Sequence, residues 1–134
     1  MELSESIDRF LDEGDSMVER FYKLLLERVP EARPYFEDVN MKTQFVMLAM
    51  ALNAVKQHPH LRKGAEAYLQ VLGTKHKNRG IPKELYGGFI EVLLEAAAEF
   101  HGNEWDQDLA RQWSDALGRA KDLMFEGYEQ HFHV

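Results

Sequence analysis

The sequence predicts an all-α fold, and three observations support that prediction. Apolar residues recur at intervals of three and four along most of the chain, which is the pattern of helices that face a core. One such stripe consists of Met17, Val18, Phe21, Leu24 and Leu25. No segment alternates apolar and polar residues as a half-buried strand does. The four prolines, at positions 30, 34, 59 and 82, stand between the stripes and divide them into separate helices.

Composition and charge fit one folded domain over residues 1–134. The 134 residues, 45% of them hydrophobic, are enough for a single core. A net charge of −7 makes nucleic acid and anionic membrane surfaces poor partners. The chain has no cysteine, which excludes disulfides and thiolate metal sites and fits a cytoplasmic protein. No apolar run approaches the ~20 residues of a membrane span.

Six to seven helices are predicted in chain order. A short first helix covers about residues 4–13 and ends at Gly14, and Asp15 can cap the second helix, which runs to Pro30. The segment 30–36 then forms a turn or a short helix. The first helix is shorter than the later ones.

The central part of the chain contains two further helices. A loop at residues 38–40 precedes the third helix, and residues 58–60 bend or break it. The fourth helix starts at Leu61 and ends near His76, with Gly80 as its stop signal.

The last third of the chain holds the remaining two helices. Pro82 opens the fifth, which runs to a turn at residues 101–103, and the last helix carries one long apolar stripe from Trp105 to Met124. Periodicity alone does not distinguish a simple bundle from a more irregular stack of helices.

One histidine has informative neighbours. His76 stands one helical turn after Leu72, so the two side chains share a face. A histidine on an apolar face is usually a hydrogen-bonded core residue, and the residues alone leave that interpretation open. The alternative is an iron ligand, in which one ring nitrogen binds the metal and the other donates a hydrogen bond, often to a carbonyl one turn back. Leu72 would supply that carbonyl and an aliphatic contact.

The second and third helices carry polar residues on apolar faces. Gln44 precedes Leu48 by one turn, and Tyr22 lies on the apolar side of the second helix. A core tyrosine with a bonded hydroxyl is again the commoner interpretation. Opposite an iron-binding histidine, however, the hydroxyl and the amide would form a pair of hydrogen-bond donors.

Taken together, two segments resemble the globins. Residues 21–36 read F-Y-K-L-L-L-E-R-V-P-E-A-R-P-Y-F, which is similar to bacterial single-domain haemoglobins and the haem half of flavohaemoglobins. Residues 75–81 read K-H-K-N-R-G-I, which resembles the family's K-H-x-x-x-G-[VI] segment. Tyr86 and Trp113 also stand where that family has a tyrosine and a tryptophan. The resemblance covers about residues 15–128.

The resemblance implies a globin fold of six to seven helices around haem b, with a shortened first helix. It makes His76 the proximal iron ligand and Phe36 the residue that wedges the haem edge. It makes Tyr86 the tyrosine that supports the proximal histidine, His76. The resemblance implies that the remaining pocket residues are the distal trio Tyr22, Gln44 and Leu48, together with Leu72 and Ile81.

Two departures from flavohaemoglobins bear on function. Their late glutamate, which bonds the proximal pair, is replaced here by Tyr128, and Glu126 and Glu129 lie at other helical angles. We therefore expect a neutral proximal histidine, suited to reversible binding rather than peroxidase-like chemistry. The sequence also has no glycine-rich dinucleotide fingerprint, so we expect no reductase within it.

The function implied is reversible binding of dioxygen and other diatomic gases, for oxygen transport or storage. Two uses of the same pocket stay open: nitric oxide dioxygenation with a separate reductase, and a gas-sensor module, which the short first helix favours. A haem-free helical interaction protein is the remote alternative.

Three further groups of residues were assigned. The nearest cations that could pair with haem propionates are Lys42, Lys75, Lys77 and Arg79. We expect Met41, Met47 and Met50 to pack in the core, with Met47 also open as a transient iron ligand. The His-x-His pairs at 58/60 and 131/133 lack the supporting ligands of a metal site and are predicted to be surface residues.

Overall fold

Helices make up the fold in the part of the chain that the computed structural model describes, residues 1–12, 15–58 and 62–130, and these residues include no strand. The six α-helices are α1 (Leu3–Asp12), α2 (Asp15–Arg28), α3 (Met41–Gln57), α4 (Arg62–Asn78), α5 (Leu85–His101) and α6 (Gln107–Glu129). Two 3₁₀ segments lie at Pro30–Phe36 and Gly102–Glu104. The predicted all-α class is confirmed.

The short first helix is fixed in the core. Ile7 and Phe10 are fully buried, and the Phe10 ring meets Trp113 and Phe100 edge-on at centroid distances of 6.0 and 5.9 Å. Burying one such side chain contributes about 1.5–3 kcal/mol. Although α1 has only 10 residues, its Phe10 side chain is therefore held against Phe100 of α5 and Trp113 of α6.

Helices α4 and α6 cross at two glycines. A Cβ on Gly73 would lie 1.9 Å from the carbonyl oxygen of Met124, and one on Gly127 would lie 1.9 Å from that of Gln70. Thr74 adds a hydrogen bond of 2.6 Å from its hydroxyl to the carbonyl of Gly127. The two backbones can approach this closely only because neither glycine has a side chain. This crossing fixes the helix that carries His76.

The end of α4 is a glycine-dependent turn. Gly80 has a φ of +78°, the amide of Ile81 donates to the carbonyl of His76 at 3.0 Å, and the amide of Gly80 donates to that of Lys77 at 2.9 Å. These two bonds form a Schellman motif, which requires a residue in the left-handed region. The predicted stop at Gly80 is confirmed, and the turn directs Ile81 back towards the helices.

Two predicted helix starts are wrong. Pro82 does not open α5: residues 82–84 form a turn in which the amide of Leu85 donates to the Pro82 carbonyl at 3.2 Å, and the helix begins at Leu85. Trp105 is not part of the last helix, because the side chain of Asp106 caps α6 by accepting from the amide of Leu109 at 2.8 Å.

The methionines of α3 also differ from expectation. Met47 and Met50 are 37% and 51% exposed, and Val46 is 58% exposed, whereas Leu48 and Leu52 on the inward face are buried. Met47 and Met50 therefore do not pack in the core as predicted, whereas Met41 packs partly against it.

Some expectations lie outside the described residues. These are the helix end at Gly14, the break at Pro59 and the helix start at Leu61. No helix among the described residues is long and apolar enough to cross a membrane.

Candidate functional site

The main pocket lies between α3 and α4. Segments of α2, Pro30–Phe36, α5 and α6 complete its walls, and its space, including the open mouth, measures about 1160 Å³. All eight residues predicted for the site line this pocket: Tyr22, Phe36, Gln44, Leu48, Leu72, His76, Ile81 and Tyr86.

Aromatic rings hold Tyr22 on the α3 side. Its side chain is 2% exposed, the Phe45 ring stacks on it at 5.7 Å, and the Phe36 ring meets it edge-on at 5.6 Å. Burial raises the pKa of Tyr22 to about 12, and a hydrogen bond from Gln44 partly opposes this rise. The hydroxyl therefore keeps its proton at neutral pH and can act as a donor in the pocket.

Gln44 orients this hydroxyl. Its Nε2 donates to the Tyr22 oxygen at 3.3 Å, while the Tyr22 hydroxyl reaches the backbone carbonyl of Gln44 only at 3.5 Å, which is long for an O–H···O bond. One lone pair of the hydroxyl is thus occupied, and its proton is only weakly engaged. The Gln44 amide, which we expected to be a donor to the ligand together with Tyr22, bonds the Tyr22 hydroxyl in this structure.

His76 lies on the α4 side, half-buried among apolar groups. Burial, with a smaller effect from the charge of Arg79, lowers the pKa of His76 to about 4, so the ring is neutral at pH 7. Its Nδ1 lies 2.8 Å from the Tyr86 hydroxyl. The expected bond to the Leu72 carbonyl is therefore replaced by a side-chain partner from α5. In the described part of the chain, Nε2 has no hydrogen-bond partner.

A second tyrosine extends this contact. The rings of Tyr86 and Tyr128 meet edge-on at 5.9 Å, and the Tyr128 hydroxyl donates to the carbonyl of Ile81 at 2.7 Å. Burial, with a smaller effect from Tyr128, raises the pKa of Tyr86. Tyr86 thus packs on Tyr128, whose hydroxyl is held by a neutral backbone carbonyl.

No carboxylate contacts His76 within the described ranges. Glu126 accepts from Gln70 at 3.1 Å, and Glu129 pairs with Lys83 at 3.2 Å. His76 Nδ1 therefore bonds the neutral hydroxyl of Tyr86 and not a carboxylate.

The cations around the pocket differ from the predicted set. Arg79 lines the pocket, whereas Lys42, Lys75 and Lys77 are exposed and do not. Lys121 of α6 lines the pocket as well and was not predicted. Its contribution depends on how α6 packs against α5, which a single sequence does not specify.

The histidine pairs offer no metal site in the described residues, among which no group of three or more His, Asp or Glu side chains lies close enough to hold an ion. His58 lies 3.7 Å from Glu66. His60, His131 and His133 lie outside the described residues.

Comparison with known proteins decides the family. The globin family matches residues 19–124, most of the chain. The chain belongs to the globin family. This globin is 39% identical over 61 residues to Globin CTT-X of Chironomus thummi thummi, covering 46% of the chain and 39% of that protein.

Two bacterial relatives match over a longer stretch. The globin is 29% identical over 119 residues to a flavohemoprotein of Bacillus subtilis, covering 87% of the chain and 30% of the relative. It is 25% identical over 114 residues to a flavohemoprotein of Oceanobacillus iheyensis, covering 84% and 28%. The chain therefore spans less than half the length of each of these relatives.

Membership makes this chain a haem-binding globin and confirms the predicted globin fold. The residues of the pocket fit a haem on their own chemistry. The walls are apolar, a neutral imidazole has an unbonded Nε2, and a buried hydroxyl on the other side has a weakly engaged proton. The individual roles of the eight residues towards haem remain predictions.

Proposed function

We propose that this globin binds dioxygen reversibly at haem b, with His76 as the proximal ligand and Tyr22 as the donor to the bound gas. The observation that carries the proposal is the Tyr22–Gln44 pair: the amide occupies the hydroxyl oxygen at 3.3 Å, and the hydroxyl proton meets its nearest acceptor only at 3.5 Å. Such a hydroxyl is available to donate to a ligand.

A donor of this kind favours dioxygen over less polar gases. The haem supplies a ferrous iron at which a diatomic gas binds, and dioxygen acquires partial negative charge there. Hydrogen bonds to charged groups contribute about 1.5–3 kcal/mol, and about 1.4 kcal/mol corresponds to a factor of ten. One bond from Tyr22 would therefore slow oxygen release roughly tenfold to a hundredfold, and would slow carbon monoxide release much less.

The α4 side supports reversible binding. Because His76 Nδ1 bonds the neutral hydroxyl of Tyr86 and not a carboxylate, the imidazole stays close to neutral. An anionic partner would push electron density towards iron and favour cleavage of the O–O bond. We therefore place oxygen transport or storage ahead of peroxidase-like chemistry, and a cysteine-free chain fits work in the cytoplasm.

Nitric oxide dioxygenation is the second candidate function. It is supported by the two relatives named flavohemoproteins, which the chain matches over 87% and 84% of its length. In that reaction bound dioxygen oxidises nitric oxide to nitrate, and an electron donor must return ferric iron to the ferrous form. A separate reductase would be the partner that supplies this electron.

Absorption spectroscopy of the haem-loaded protein tests the proposal. Spectra of the ferric, ferrous and oxygenated ferrous forms should show a Soret band and an oxygenated form that persists in air. Oxygen should leave, and the ferrous spectrum return, when the sample is purged with nitrogen. Immediate oxidation to ferric haem in air would contradict reversible binding and favour the redox alternative.

A further inference from the structure

Two reciprocal hydrogen bonds close one edge of the pocket. The Arg79 guanidinium Nη2 donates to the Tyr35 carbonyl at 2.9 Å, and the Tyr35 hydroxyl donates to the Gly80 carbonyl at 3.2 Å. We call this pair of bonds the clasp. It joins Pro30–Phe36 to the turn that follows α4, and both Tyr35 and Arg79 line the pocket.

Arg79 has donors to spare at this edge. A guanidinium carries five N–H groups, and in the described part of the chain only the bond to Tyr35 uses one. Five other arginines each pair with a carboxylate: Arg9, Arg20, Arg28, Arg62 and Arg111. In a chain with a net charge of −7, Arg79 thus lines a pocket without an acidic partner among the described residues.

The ligand brings negative charge that the apolar walls cannot stabilise. Haem carries two carboxylates, and burying them among those walls would be costly, so they must reach water or a cationic side chain. The carboxyl end of α4 lies at the same edge, and a helix dipole places about −0.5 of an elementary charge there. A carboxylate in that position would be repelled unless a cation stood beside it.

We propose that Arg79, positioned by its clasp with Tyr35, pairs with a carboxylate of the bound haem. The inference rests on the haem site of the proposed function and names one of its anchors. A planar guanidinium matches a carboxylate with two parallel bonds, whereas an ammonium is a point charge. The other cation at the pocket, Lys121, has its Nζ 5.9 Å from the centroid of the Phe125 ring, on the side of α6.

Haem loss measures the pairing directly. Wild-type protein and Arg79→Gln are loaded with ferric haem or with haem dimethyl ester, whose carboxylates are blocked, and transfer to excess apomyoglobin is followed at the Soret band. Arg79→Gln should lose haem about three- to tenfold faster than wild type, as expected for a partly exposed charged pair. Loss of the dimethyl ester should be unchanged, because that ligand has no charge to pair.

Two matched controls lie on the same helix end. Lys75→Gln and Lys77→Gln remove one positive charge each from exposed positions that do not line the pocket, and both should lose haem at the wild-type rate. Tyr35→Phe removes the hydroxyl bond to Gly80 and leaves the Tyr35 carbonyl in place. For each variant, the rate of ester loss is divided by the rate of haem loss. In Tyr35→Phe this ratio should lie between the ratio of wild type and that of Arg79→Gln.

Several results would overturn the proposal. Equal acceleration for haem and its dimethyl ester in Arg79→Gln would assign Arg79 a purely structural role. A carboxylate-dependent change in Lys121→Gln or Lys75→Gln, with none in Arg79→Gln, would move the anchor to that lysine. A ratio in Tyr35→Phe equal to that of wild type would show that the clasp does not position Arg79. A wild-type protein that takes up neither haem would instead contradict the proposed function itself.

Discussion

The Nδ1 atom of His76 lies 2.8 Å from the hydroxyl oxygen of Tyr86. If Nε2 is to bind iron, the ring proton must be on Nδ1, and Tyr86 must accept it. The Tyr86 ring packs edge-on against Tyr128, whose own hydroxyl donates to the Ile81 carbonyl. Because the Tyr86 hydroxyl can accept from Nδ1, the tautomer that leaves Nε2 without a proton is favoured.

Replacing the tyrosines should alter the iron–histidine bond. In Tyr86→Phe, Nδ1 loses its acceptor, the ring becomes a weaker donor to iron, and the iron–histidine stretching band of the ferrous protein should move to lower frequency in resonance Raman spectra. Tyr128→Phe should produce a smaller shift in the same direction. Tyr68→Phe is the control, because Tyr68 lies on α4 and does not line the pocket. A band at the wild-type position in Tyr86→Phe would refute the hydrogen bond from His76 Nδ1 to Tyr86.

The crossing of α4 and α6 predicts a strong dependence on two glycines. Gly73→Ala and Gly127→Ala would each place a Cβ 1.9 Å from a backbone oxygen, and moving two helices apart should lower the free energy of unfolding by at least about 1–3 kcal/mol. The measurement is urea denaturation followed by circular dichroism.

Matched controls lie on the same two helices. Nothing lies within 4 Å of a Cβ at Gly64 in α4 or at Gly118 in α6. Alanine at either position should therefore raise the free energy of unfolding by about 0.5–1 kcal/mol through higher helix propensity. Similar effects at all four glycines would show that the crossing is not the cause.

A buried polar cluster links α1, α5 and α6 at the other end of the molecule. The Ser6 oxygen accepts from Trp113 Nε1 at 2.8 Å and lies 2.6 Å from His101 Nε2. Burial lowers the pKa of His101, and the charge of Arg9 adds to this while Glu104 opposes it. The neutral ring is the form that can accept from Ser6.

Acid should therefore weaken the fold through His101. An unfolded histidine titrates near pH 6.5, and in the folded protein the pKa is lower, so the unfolded state binds the extra proton first. The contribution of the neutral His101 ring to the free energy of unfolding is complete above about pH 6.5. It is lost as the pH falls through the folded pKa, at up to about 1.4 kcal/mol per pH unit.

The variant His101→Gln isolates this effect from the carboxylates that titrate in both proteins. Below about pH 6.5, the free energy of unfolding of wild type should fall more steeply than that of His101→Gln, and above that pH the two curves should run parallel. Identical slopes between about pH 6.5 and 5 would show that His101 does not contribute.

Helical spacing and the globin resemblance name eight residues that all line one pocket, and their roles towards a ligand stay predictions. The spacing of Gln44 from Leu48, or of Leu72 from His76, places each pair on one helix face before any tertiary structure is known. The errors at Pro82 and Trp105 arose where a turn or an N-cap starts the helix later than the apolar pattern suggests.

The supporting contacts could not be predicted in the same way. The bond from Tyr128 to Ile81 joins residues 47 apart, and that from Arg79 to Tyr35 joins residues 44 apart. Both depend on how separate elements pack, which periodicity does not encode. Met47 and Met50 were misjudged for a related reason, since an apolar side chain on the flank of α3 is buried only if another element covers it.

Gln44 should affect the oxygen dissociation rate through its hydrogen bond to Tyr22. Because its amide donates to the Tyr22 oxygen at 3.3 Å, Gln44→Leu should raise the oxygen dissociation rate about three- to tenfold, as expected from loss of one neutral hydrogen bond. In a Tyr22→Phe background the same substitution should have little further effect, and a double-mutant cycle measured by stopped flow tests this. Fully additive effects would mean that Gln44 contacts the ligand independently.

The oxygen dissociation rate of Tyr22→Phe, compared with wild type by stopped flow, tests the central claim most directly. Phenylalanine keeps the ring stacked on Phe45 and removes only the hydroxyl. The rate should rise roughly tenfold to a hundredfold, while the carbon monoxide dissociation rate changes by much less. An oxygen dissociation rate equal to that of wild type would contradict the assignment of Tyr22 as the donor to bound dioxygen.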